Sequence, residues 1–437
     1  MKASRSLVGY VETMSEPDAK RSPRETFTLL DLALENIGPF DRAELTFYDL
    51  DEPEPQVPVT ILTGENGAGK SIVIDAIRGI FGGYYAVLER PLWRPIGEHV
   101  ARARLTIEGS NLEVAARHTE GGHFNVDGRS FRPLQGLPHE VHSGRLTVPW
   151  VVDFWRSTLA TDSYALPAFS PPVARQYLLQ SLQGTYRNAD VTQLLVYFDY
   201  LRDSRDMAER RAGEVLYTKA REIVELSLLD GELLEVQRST FTPMVRQGGQ
   251  TVPLASLSSG NAYMIQHMIR MLGKMHAVCT LRGEEPERMC EAPGLLLLDE
   301  AENHLHPRWQ KRFLGDIRRL FPNLQIIATT HSPFVIGSVP GARVYVCRYM
   351  KEDRVSVIED ATASYANKPV DDILLSPAFE GTEPFGIEIT ALLERRRRAI
   401  EARDTGAQHE AEKELYARNP TYFGYLRLGE QLREAGE

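Results

Sequence analysis

The sequence has few cysteines, no long apolar run and no excess of positive charge. Its 437 residues include only Cys279, Cys290 and Cys347, which are odd in number and form no Cys-x-x-Cys pair. This argues against a disulfide framework or a zinc site and fits a reducing cytoplasm. No run approaches the roughly 18 apolar residues of a membrane-spanning helix. We therefore expect no membrane partner.

The charge and composition restrict the protein class further. A net charge of −10 argues against nonspecific coating of nucleic acid, although a local basic patch is compatible with it. The 42% hydrophobic and 25% charged residues are typical of a soluble globular protein. The length suits about two to three domains. Residues 1–25 are polar and lack an apolar signal-peptide core, so we expect a flexible leader there.

One octapeptide satisfies the phosphate-binding pattern Gly-x4-Gly-Lys-Ser. It lies between a β-run at 59–63 and a helical run at 72–77, a context that disfavours a chance glycine-rich turn. Its backbone N–H groups and the following helix are expected to bind a polyphosphate. Lys70 is expected to reach the β- and γ-phosphates, and the Ser71 hydroxyl to ligate Mg²⁺. The octapeptide comprises Gly64, Glu65, Asn66, Gly67, Ala68, Gly69, Lys70 and Ser71.

A second motif is the apolar run at 294–298, which ends in Asp299 and Glu300. Such a run is typical of a strand buried in a parallel sheet, and ligands of these sheets lie at the carboxyl ends of the strands. Asp299 is then expected to hold Mg²⁺, and Glu300 to orient and deprotonate the attacking water. Alone, the pattern would rather indicate a core strand followed by an acidic turn. The phosphate loop favours the catalytic interpretation.

Two weaker segments complete the pattern. Residues 254–261 contain a Ser-Ser-Gly turn that opens a helix, with Ser258 and Gly260 as candidate anion contacts. Such turns also cap many helices for structural reasons alone. The strand at 325–330 ends in His331. A lone histidine there is usually structural, but this strand points at the same site, which favours a γ-phosphate contact.

The order of these four elements resembles the ATP-binding cassette (ABC) ATPases. It is more similar to their soluble branch, which includes Rad50, RecF, SMC and overcoming-lysogenization-defect (OLD) proteins. The segment at 27–40 also resembles the first strand and turn of that branch. The Glu-x-x-Leu-His-Pro-x-x-Gln form of 302–310 is typical of standalone AAA/ABC-like ATPases of bacterial defence islands, such as Septu and PARIS. Transporter cassettes usually carry Ser-Ala-Leu-Asp there. The resemblance covers about residues 27–385 in outline.

The resemblance implies a fold and a set of roles. The fold is an α/β P-loop NTPase of ABC-ATPase type, with a mixed central sheet flanked by helices, an antiparallel β lobe and a short helical insertion. Lys70 would bind the phosphates, Glu300 would be the general base, and His331 the switch histidine. Ser258 and Gly260 would bind the γ-phosphate of ATP held by an opposite subunit. The implied cofactors are ATP and Mg²⁺, and the implied assembly is a homodimer or higher homo-oligomer with composite ATP sites.

The sequence departs from the family pattern in three places. The signature reads Leu-Ser-Ser-Gly-Asn rather than Leu-Ser-Gly-Gly-Gln. No Q-loop glutamine is evident, because the strand predicted at 147–156 supplies Asp153 and Arg156 at that place. The second Mg²⁺ ligand is therefore left open. The segment between the phosphate loop and the Asp-Glu strand contains no sustained heptads, which excludes the long coiled-coil arms of Rad50 and SMC proteins.

These assignments divide the chain into five parts. The alternating runs at 101–107 and 112–117 predict antiparallel strands of the β lobe. The arginines near 202–211 and the run at 395–398 are more typical of solvated helix faces, with partner or nucleic-acid binding as the alternative. The parts are the leader (1–25), the N-terminal half of the ATPase core (26–160), a helical insertion (161–245), the C-terminal half of the core (246–360) and a helical tail (361–437).

Three functions are compatible with this reading of the motifs. The first is an ATPase that senses a trigger and regulates a separate effector protein. The effector could be a nuclease, and that activity would come from another protein because the tail has no Toprim-like or HNH-like cluster. The second is a DNA-repair ATPase of RecF or Rad50 type, which would need a basic groove. The third is a non-turnover binding module, and the presence of Glu300 and His331 disfavours it.

Overall fold

The computed structural model describes residues 27–53, 55–82, 99–107, 109–119, 123–127, 150–160, 162–179, 187–228, 230–365, 368–374, 376 and 385–426. The chain divides into two compact units, Met1–Lys368 and Pro369–Glu437. The predicted leader lies outside the described residues, and so do residues 147–149 of the strand predicted at 147–156.

Strands form three sheets in the first unit. They are β1 (Phe27–Ile37), β2 (Phe40–Thr46), β3 (Val59–Gly64), β4 (His99–Ile107), β5 (Ser110–Thr119), β6 (His123–Asp127), β7 (Val151–Trp155), β8 (Gly231–Gln237), β9 (Thr242–Gln247), β10 (Gln250–Pro253), β11 (Gly294–Leu298), β12 (Leu324–Thr329), β13 (Arg343–Met350) and β14 (Val355–Asp360).

Helices occur in both units. The first unit contains α1 (Lys70–Gly82), α2 (Ala174–Leu179), α3 (Asn188–Arg202), α4 (Met207–Ser227), α5 (Ser259–Arg282), α6 (Pro307–Gln310), α7 (Phe313–Leu320), α8 (Pro333–Ile336) and α9 (Thr362–Tyr365), and the second contains α10 (Val370–Leu374), α11 (Ile387–Glu401) and α12 (Thr405–Arg418).

The central sheet has the order β14-β13-β3-β12-β11-β7. All neighbours pair in parallel except the β13–β14 hairpin at one edge. Every residue of β3, β11 and β12 is buried, as the mainly apolar sequences of these strands predict. The structure therefore confirms the predicted α/β fold with a mixed central sheet. Its register places the carboxyl ends of β3, β12 and β11 side by side.

The β lobe is an antiparallel sheet in the order β2-β1-β4-β5-β6. One hydrophobic core joins this sheet to α1 and to the central sheet, and it includes Leu29 of β1, Ile77 of α1 and Ile327 of β12. The buried Gln325 side chain also bridges the two sheets, because its amide accepts from Leu29 N and donates to Leu29 O, both at 2.8 Å. The lobe and the central sheet thus pack as one body around α1.

The segment between β7 and β11 is not helical throughout. Helices α3 and α4 pack closely, since a Cβ on Gly213 would lie 2.2 Å from Arg202 N. The following strands β8, β9 and β10 form an antiparallel sheet whose first part falls within the insertion predicted as helical at 161–245. The glycine pair at 248–249, with positive φ at both residues, forms the β9–β10 turn. Such a pair between two short runs is a sequence signal for a β-hairpin. The longest described helix is α5, with 24 residues.

Several arginines of the insertion are paired with carboxylates. Arg202 contacts Asp199 at 2.7 Å, and Arg211 contacts Glu285 and Glu287, each at 2.7 Å. These pairs neutralise part of the positive charge that a nucleic-acid surface would need.

The second unit is built on the helices α11 and α12, which pack against each other. Its core contains Leu392, Leu415, Phe423 and Leu426. The arginine run at 395–398 is largely neutralised within the unit by three ion pairs, which join Arg395 to Glu414, Arg396 to Glu412 and Arg398 to Glu394. This favours the solvated-face interpretation of the run. Across the described parts of both units, no helix combines the length and apolar character needed to cross a membrane.

Candidate functional site

The phosphate loop runs from the end of β3 into α1. Gly64, Gly67 and Gly69 have φ values of +127°, +81° and +99°, a region that side-chain-bearing residues rarely adopt. A Cβ on Gly64 would lie 2.0 Å from the Cys347 carbonyl oxygen, and one on Gly69 would lie 2.5 Å from the Phe40 ring. At Gly67 nothing lies within 4 Å, so the loop is open on that side. The glycines therefore shape a cradle for an anion.

Lys70 is the first residue of α1 and lies over its own loop. Its Nζ donates to Gly64 O at 3.0 Å and to Glu65 O at 2.8 Å. Burial lowers the pKa of Lys70, and the nearby carboxylates Asp299 and Glu300 act in the opposite direction. The ammonium group thus lies beside the loop and the acidic residues, where a triphosphate would meet it.

Ser71 and Asp299 are joined directly. Ser71 Oγ donates to Asp299 Oδ1 at 2.8 Å, and Thr329 Oγ1 donates to the same oxygen at 2.8 Å. The parallel register explains the contact, because Leu298 pairs with Ala328 and Thr329 pairs with Leu62. A hydroxyl and a buried carboxylate are oxygen ligands that suit Mg²⁺.

The site fits a magnesium ion that takes its other ligands from water and phosphate. Within the described ranges, no group of three or more His, Cys, Asp and Glu side chains could hold a metal. Mg²⁺ does not need such a group, since it usually keeps several waters and binds one or two protein ligands plus substrate phosphates. The hydrogen-bonded Ser71 and Asp299 side chains therefore suit the role of metal ligands, which stays a prediction. The described residues identify no further ligand at the Q-loop position.

Glu300 has an unusual backbone conformation that several contacts support. Its φ is +53°, a left-handed value that costs a glutamate about 1 to 3 kcal/mol. Its N–H donates to Thr329 Oγ1 at 2.8 Å, and its Oε2 accepts from Asn303 Nδ2 at 2.6 Å. Sequence reasoning assigned no role to Thr329 or Asn303. A hydroxyl at the carboxyl end of a core strand was the available signal for Thr329, whereas nothing in the sequence singled out Asn303.

His331 follows the end of β12 and is half-buried. Burial is the main cause that holds its pKa below the ordinary value, and the neighbouring Lys70 acts in the same direction, whereas Glu302 opposes both. Its backbone N–H donates to Glu302 Oε1 at 2.6 Å. The histidine is therefore attached to the turn that follows the Asp-Glu strand.

A cavity of about 390 Å³ brings most of the predicted residues together. Gly64, Glu65, Ala68 and Asp299 belong to the same loop and strand ends but are not among its lining residues. Pro39 and Ile72, from the β1–β2 turn and from α1, add an apolar wall that sequence reasoning did not predict. The lining residues are Pro39, Asn66, Gly67, Gly69, Lys70, Ser71, Ile72, Glu300 and His331.

Ser258 and Gly260 do not line this cavity. Ser258 is the exposed N-cap residue of α5, and its side chain makes no capping hydrogen bond. A Cβ on Gly260 would lie 2.4 Å from the His304 carbonyl oxygen, so the signature loop packs against the turn that follows Glu300. Within one chain, the candidate signature residues therefore lie outside the cavity that their own phosphate loop lines.

Asp153 has a structural partner instead of a role in the nucleotide site. Its buried carboxylate forms an ion pair with the buried Lys274 of α5 and accepts from Trp155 Nε1 at 2.8 Å. Burial lowers the pKa of Lys274, and the Asp153 charge opposes this. Asp153 thus anchors the edge strand β7 to α5 and does not replace the missing Q-loop glutamine.

We expect Lys274→Met to lower the free energy of unfolding by about 3 to 5 kcal/mol, because it leaves the Asp153 carboxylate buried without its cation. Urea unfolding followed by circular dichroism measures the change. Arg288→Met is the matched control, since it breaks an exposed ion pair with Glu291 and should cost less than about 1 kcal/mol. Equal effects of the two substitutions would contradict the assigned importance of the buried pair.

Two family models match the chain. A model described as "AAA domain, putative AbiEii toxin, Type IV TA system" matches residues 137–337, and a model described as "AAA domain" matches residues 31–116. The match at 31–116 includes the phosphate loop with β3 and α1, and the match at 137–337 includes the signature loop, the Asp-Glu strand and His331. Neither match includes residues of the second unit.

Curated relatives are similar over part of the chain. The "Retron Vc95 probable ATPase" of Vibrio cholerae is 22% identical over 175 residues, which are 40% of this chain and 33% of that protein. The "Septu protein PtuA" of Bacillus thuringiensis is 51% identical over 104 residues, which are 23% of this chain and 25% of that protein. The chain therefore matches about a third of these relatives or less. Among solved structures, the SMC head domain from Thermotoga maritima gives a TM-score of 0.41 at 16% identity, over 76% of this chain and 98% of that one.

Proposed function

We propose that the chain carries an ABC-type P-loop ATPase domain, which binds ATP with Mg²⁺ and hydrolyses the bond between the β- and γ-phosphates. One observation carries this proposal. Lys70, Ser71, Glu300 and His331 line one cavity, and Ser71 is hydrogen-bonded to Asp299 at 2.8 Å. These side chains come from three strand ends, so a binding loop alone would not assemble them.

The residues divide the reaction among them. The loop N–H groups and Lys70 bind the β- and γ-phosphates. Glu300 accepts a proton from a water that attacks the γ-phosphorus, while the bond from that phosphorus to the bridging oxygen breaks and ADP leaves with the electron pair. His331 contacts the γ-phosphate. Mg²⁺, held by Ser71 and Asp299, would neutralise charge that develops on the phosphate oxygens.

We further propose that two copies complete each site. Ser258 and Gly260 of one copy would contact the γ-phosphate bound by the other, since both lie outside the cavity of their own chain. ATP would then close a homodimer, and hydrolysis would open it. In such an arrangement the γ-phosphate acts as a link between subunits.

The proposed role of this cycle is regulation of a separate effector, in anti-phage defence. The form of residues 302–310 and the similarity to a Septu protein and to a retron ATPase support this proposal. The alternative of a DNA-repair ATPase calls for a basic groove. The ion pairs of Arg202, Arg211 and the run at 395–398 give that alternative no support in the described residues.

A signature-loop substitution tests the composite site. We expect Ser258→Glu to lower the ATPase kcat about 100-fold or more, because a carboxylate would replace a phosphate contact with a like charge. The Kd of the isolated chain for ATP should change less than about threefold, since Ser258 lies outside its own cavity. Steady-state phosphate release and calorimetric titration measure the two quantities.

Ser256→Glu is the matched control. Ser256 is exposed in the same loop but precedes the signature turn, so its substitution should leave kcat within about twofold. If Ser258→Glu hydrolysed ATP like the control, the proposal of a site completed by a second copy would be wrong. Absence of hydrolysis by the unmodified protein with Mg²⁺ would instead contradict the ATPase proposal itself.

A further inference from the structure

The turn after the Asp-Glu strand is attached to the His331 segment through one carboxylate. Glu302 Oε1 accepts from His331 N at 2.6 Å, and Glu302 Oε2 accepts from Thr330 Oγ1 at 2.6 Å. The glutamate is partly buried, so both bonds are shielded in part from water. One carboxylate oxygen of Glu302 therefore binds the backbone of His331, and the other binds the side chain of the preceding residue, Thr330.

A second side chain holds the other flank of His331. Gln310 Oε1 accepts from Ser332 Oγ at 2.7 Å, and Gln310 Nε2 donates to Leu305 O at 2.8 Å. Ser332 Oγ in turn accepts from Phe334 N at 3.1 Å and so caps α8. The histidine thus lies between two anchors, one in the turn that follows Glu300 and the other at the end of α6.

We propose that Glu302 is a positioning residue for His331. It fixes the histidine's backbone by hydrogen bonding and places a negative charge close to the imidazole. The inference rests on the proposed ATPase function, in which His331 contacts the γ-phosphate. Glu302 does not line the nucleotide cavity, and its hydrogen bonds go to Thr330 and to the backbone of His331, so we assign its role to the histidine rather than to contact with the nucleotide.

The charge and the hydrogen bonds of Glu302 are separable. Glu302→Gln keeps an acceptor for His331 N and a polar partner for Thr330, but it removes the negative charge. Glu302→Ala removes the charge and both contacts. Burial and Lys70 lower the pKa of His331, whereas Glu302, Glu300 and Asp299 oppose them. Glu302 is the largest of these opposing charges, so loss of its carboxylate charge should lower that pKa further.

The first test is a titration that does not depend on hydrolysis. The imidazole carbon signals of the nucleotide-free protein are followed by nuclear magnetic resonance against pH, and His331→Ala identifies the His331 signal. We expect the His331 midpoint to move to lower pH in Glu302→Gln. It should not move in Glu352→Gln, which removes an equal charge from an exposed turn residue. An unchanged midpoint in Glu302→Gln would overturn the proposed placement of charge.

The second test is a double-mutant cycle in the ATPase assay. We expect Glu302→Ala to lower kcat about 10- to 100-fold by misplacing His331, with the Kd for ATP changed less than about threefold. Glu302→Gln should recover most of this loss. In the His331→Ala background, Glu302→Ala should lower kcat by less than about twofold, because its effect passes through the missing side chain.

Independent effects of the two substitutions would contradict the inference, since they would show that Glu302 acts by another route. Circular dichroism and thermal unfolding check that each variant is folded. If Glu302→Ala fails to fold, Glu302→Gln still tests the role of the charge, because it retains the hydrogen bonds. If the unmodified protein hydrolyses no ATP, the proposed function is wrong. In that case the His331 titration alone tests whether the Glu302 charge acts on the imidazole.

Discussion

Lys70→Ala is expected to abolish ATP binding at ordinary nucleotide concentrations, raising the Kd by at least about 100-fold. The ammonium group lies beside the cradle formed by Gly64, Gly67 and Gly69, and no other lysine lines the cavity among the described residues. Its removal takes away the charged donor for the β- and γ-phosphates. Calorimetric titration with ATP and Mg²⁺ measures the loss.

The control separates binding from folding. Lys70 also donates to the carbonyls of Gly64 and Glu65, so thermal unfolding of the variant must be measured alongside. Lys351→Ala removes an exposed lysine in the β13–β14 turn and should leave the Kd within about twofold. A folded Lys70→Ala protein that binds ATP with unmodified affinity would contradict the assigned nucleotide site.

The second large effect is expected for Glu300→Gln. We expect kcat to fall about 10²- to 10⁴-fold because the amide cannot accept the proton of the attacking water. Binding of ATP should persist, since the phosphate loop and Ser71 are unchanged. The variant should therefore accumulate as an ATP-bound dimer, which light scattering coupled to size exclusion would detect in the presence of ATP and Mg²⁺.

The geometry makes this substitution a conservative one. A glutamine oxygen can still accept from Asn303 Nδ2, and the backbone donor to Thr329 is unaffected. Glutamine also tolerates the left-handed φ of this position about as well as glutamate does. Glu352→Gln, in an exposed turn, provides the control for loss of one acidic charge. Hydrolysis by Glu300→Gln at the unmodified rate would show that another group serves as the base.

The motif residues were predictable because local sequence encodes them. The phosphate loop needs glycines at positions 64, 67 and 69, and the following helix needs the apolar residues that bury α1. The run of β11 is apolar along its whole length, and those of β3 and β12 are apolar apart from threonine and glutamine positions, which is typical of strands covered on both faces. These local patterns, together with the resemblance of the motif order to the ABC ATPases, were therefore sufficient to predict the fold class.

Contacts between distant segments were not predictable in the same way. Asp153 and Lys274 are separated by 121 positions, and neither has a local pattern that indicates the other. Similarly, Glu302 and Asn303 are adjacent in the sequence, whereas in the structure their side chains contact different partners, His331 and Glu300. Side-chain pairing of this kind depends on which strands are neighbours.

The sequence by itself determined that this protein has a phosphate loop, a signature turn, an acidic strand end and a histidine strand end, in that order. Each of these depends on a few adjacent residues. Only the tertiary structure decided that Ser71 bonds Asp299, that Asp153 is structural, and that Ser258 lies outside the cavity of its own chain. The physical reason is that the parallel order of β3, β12 and β11 aligns strand ends separated by more than two hundred positions, and no local pattern records that alignment.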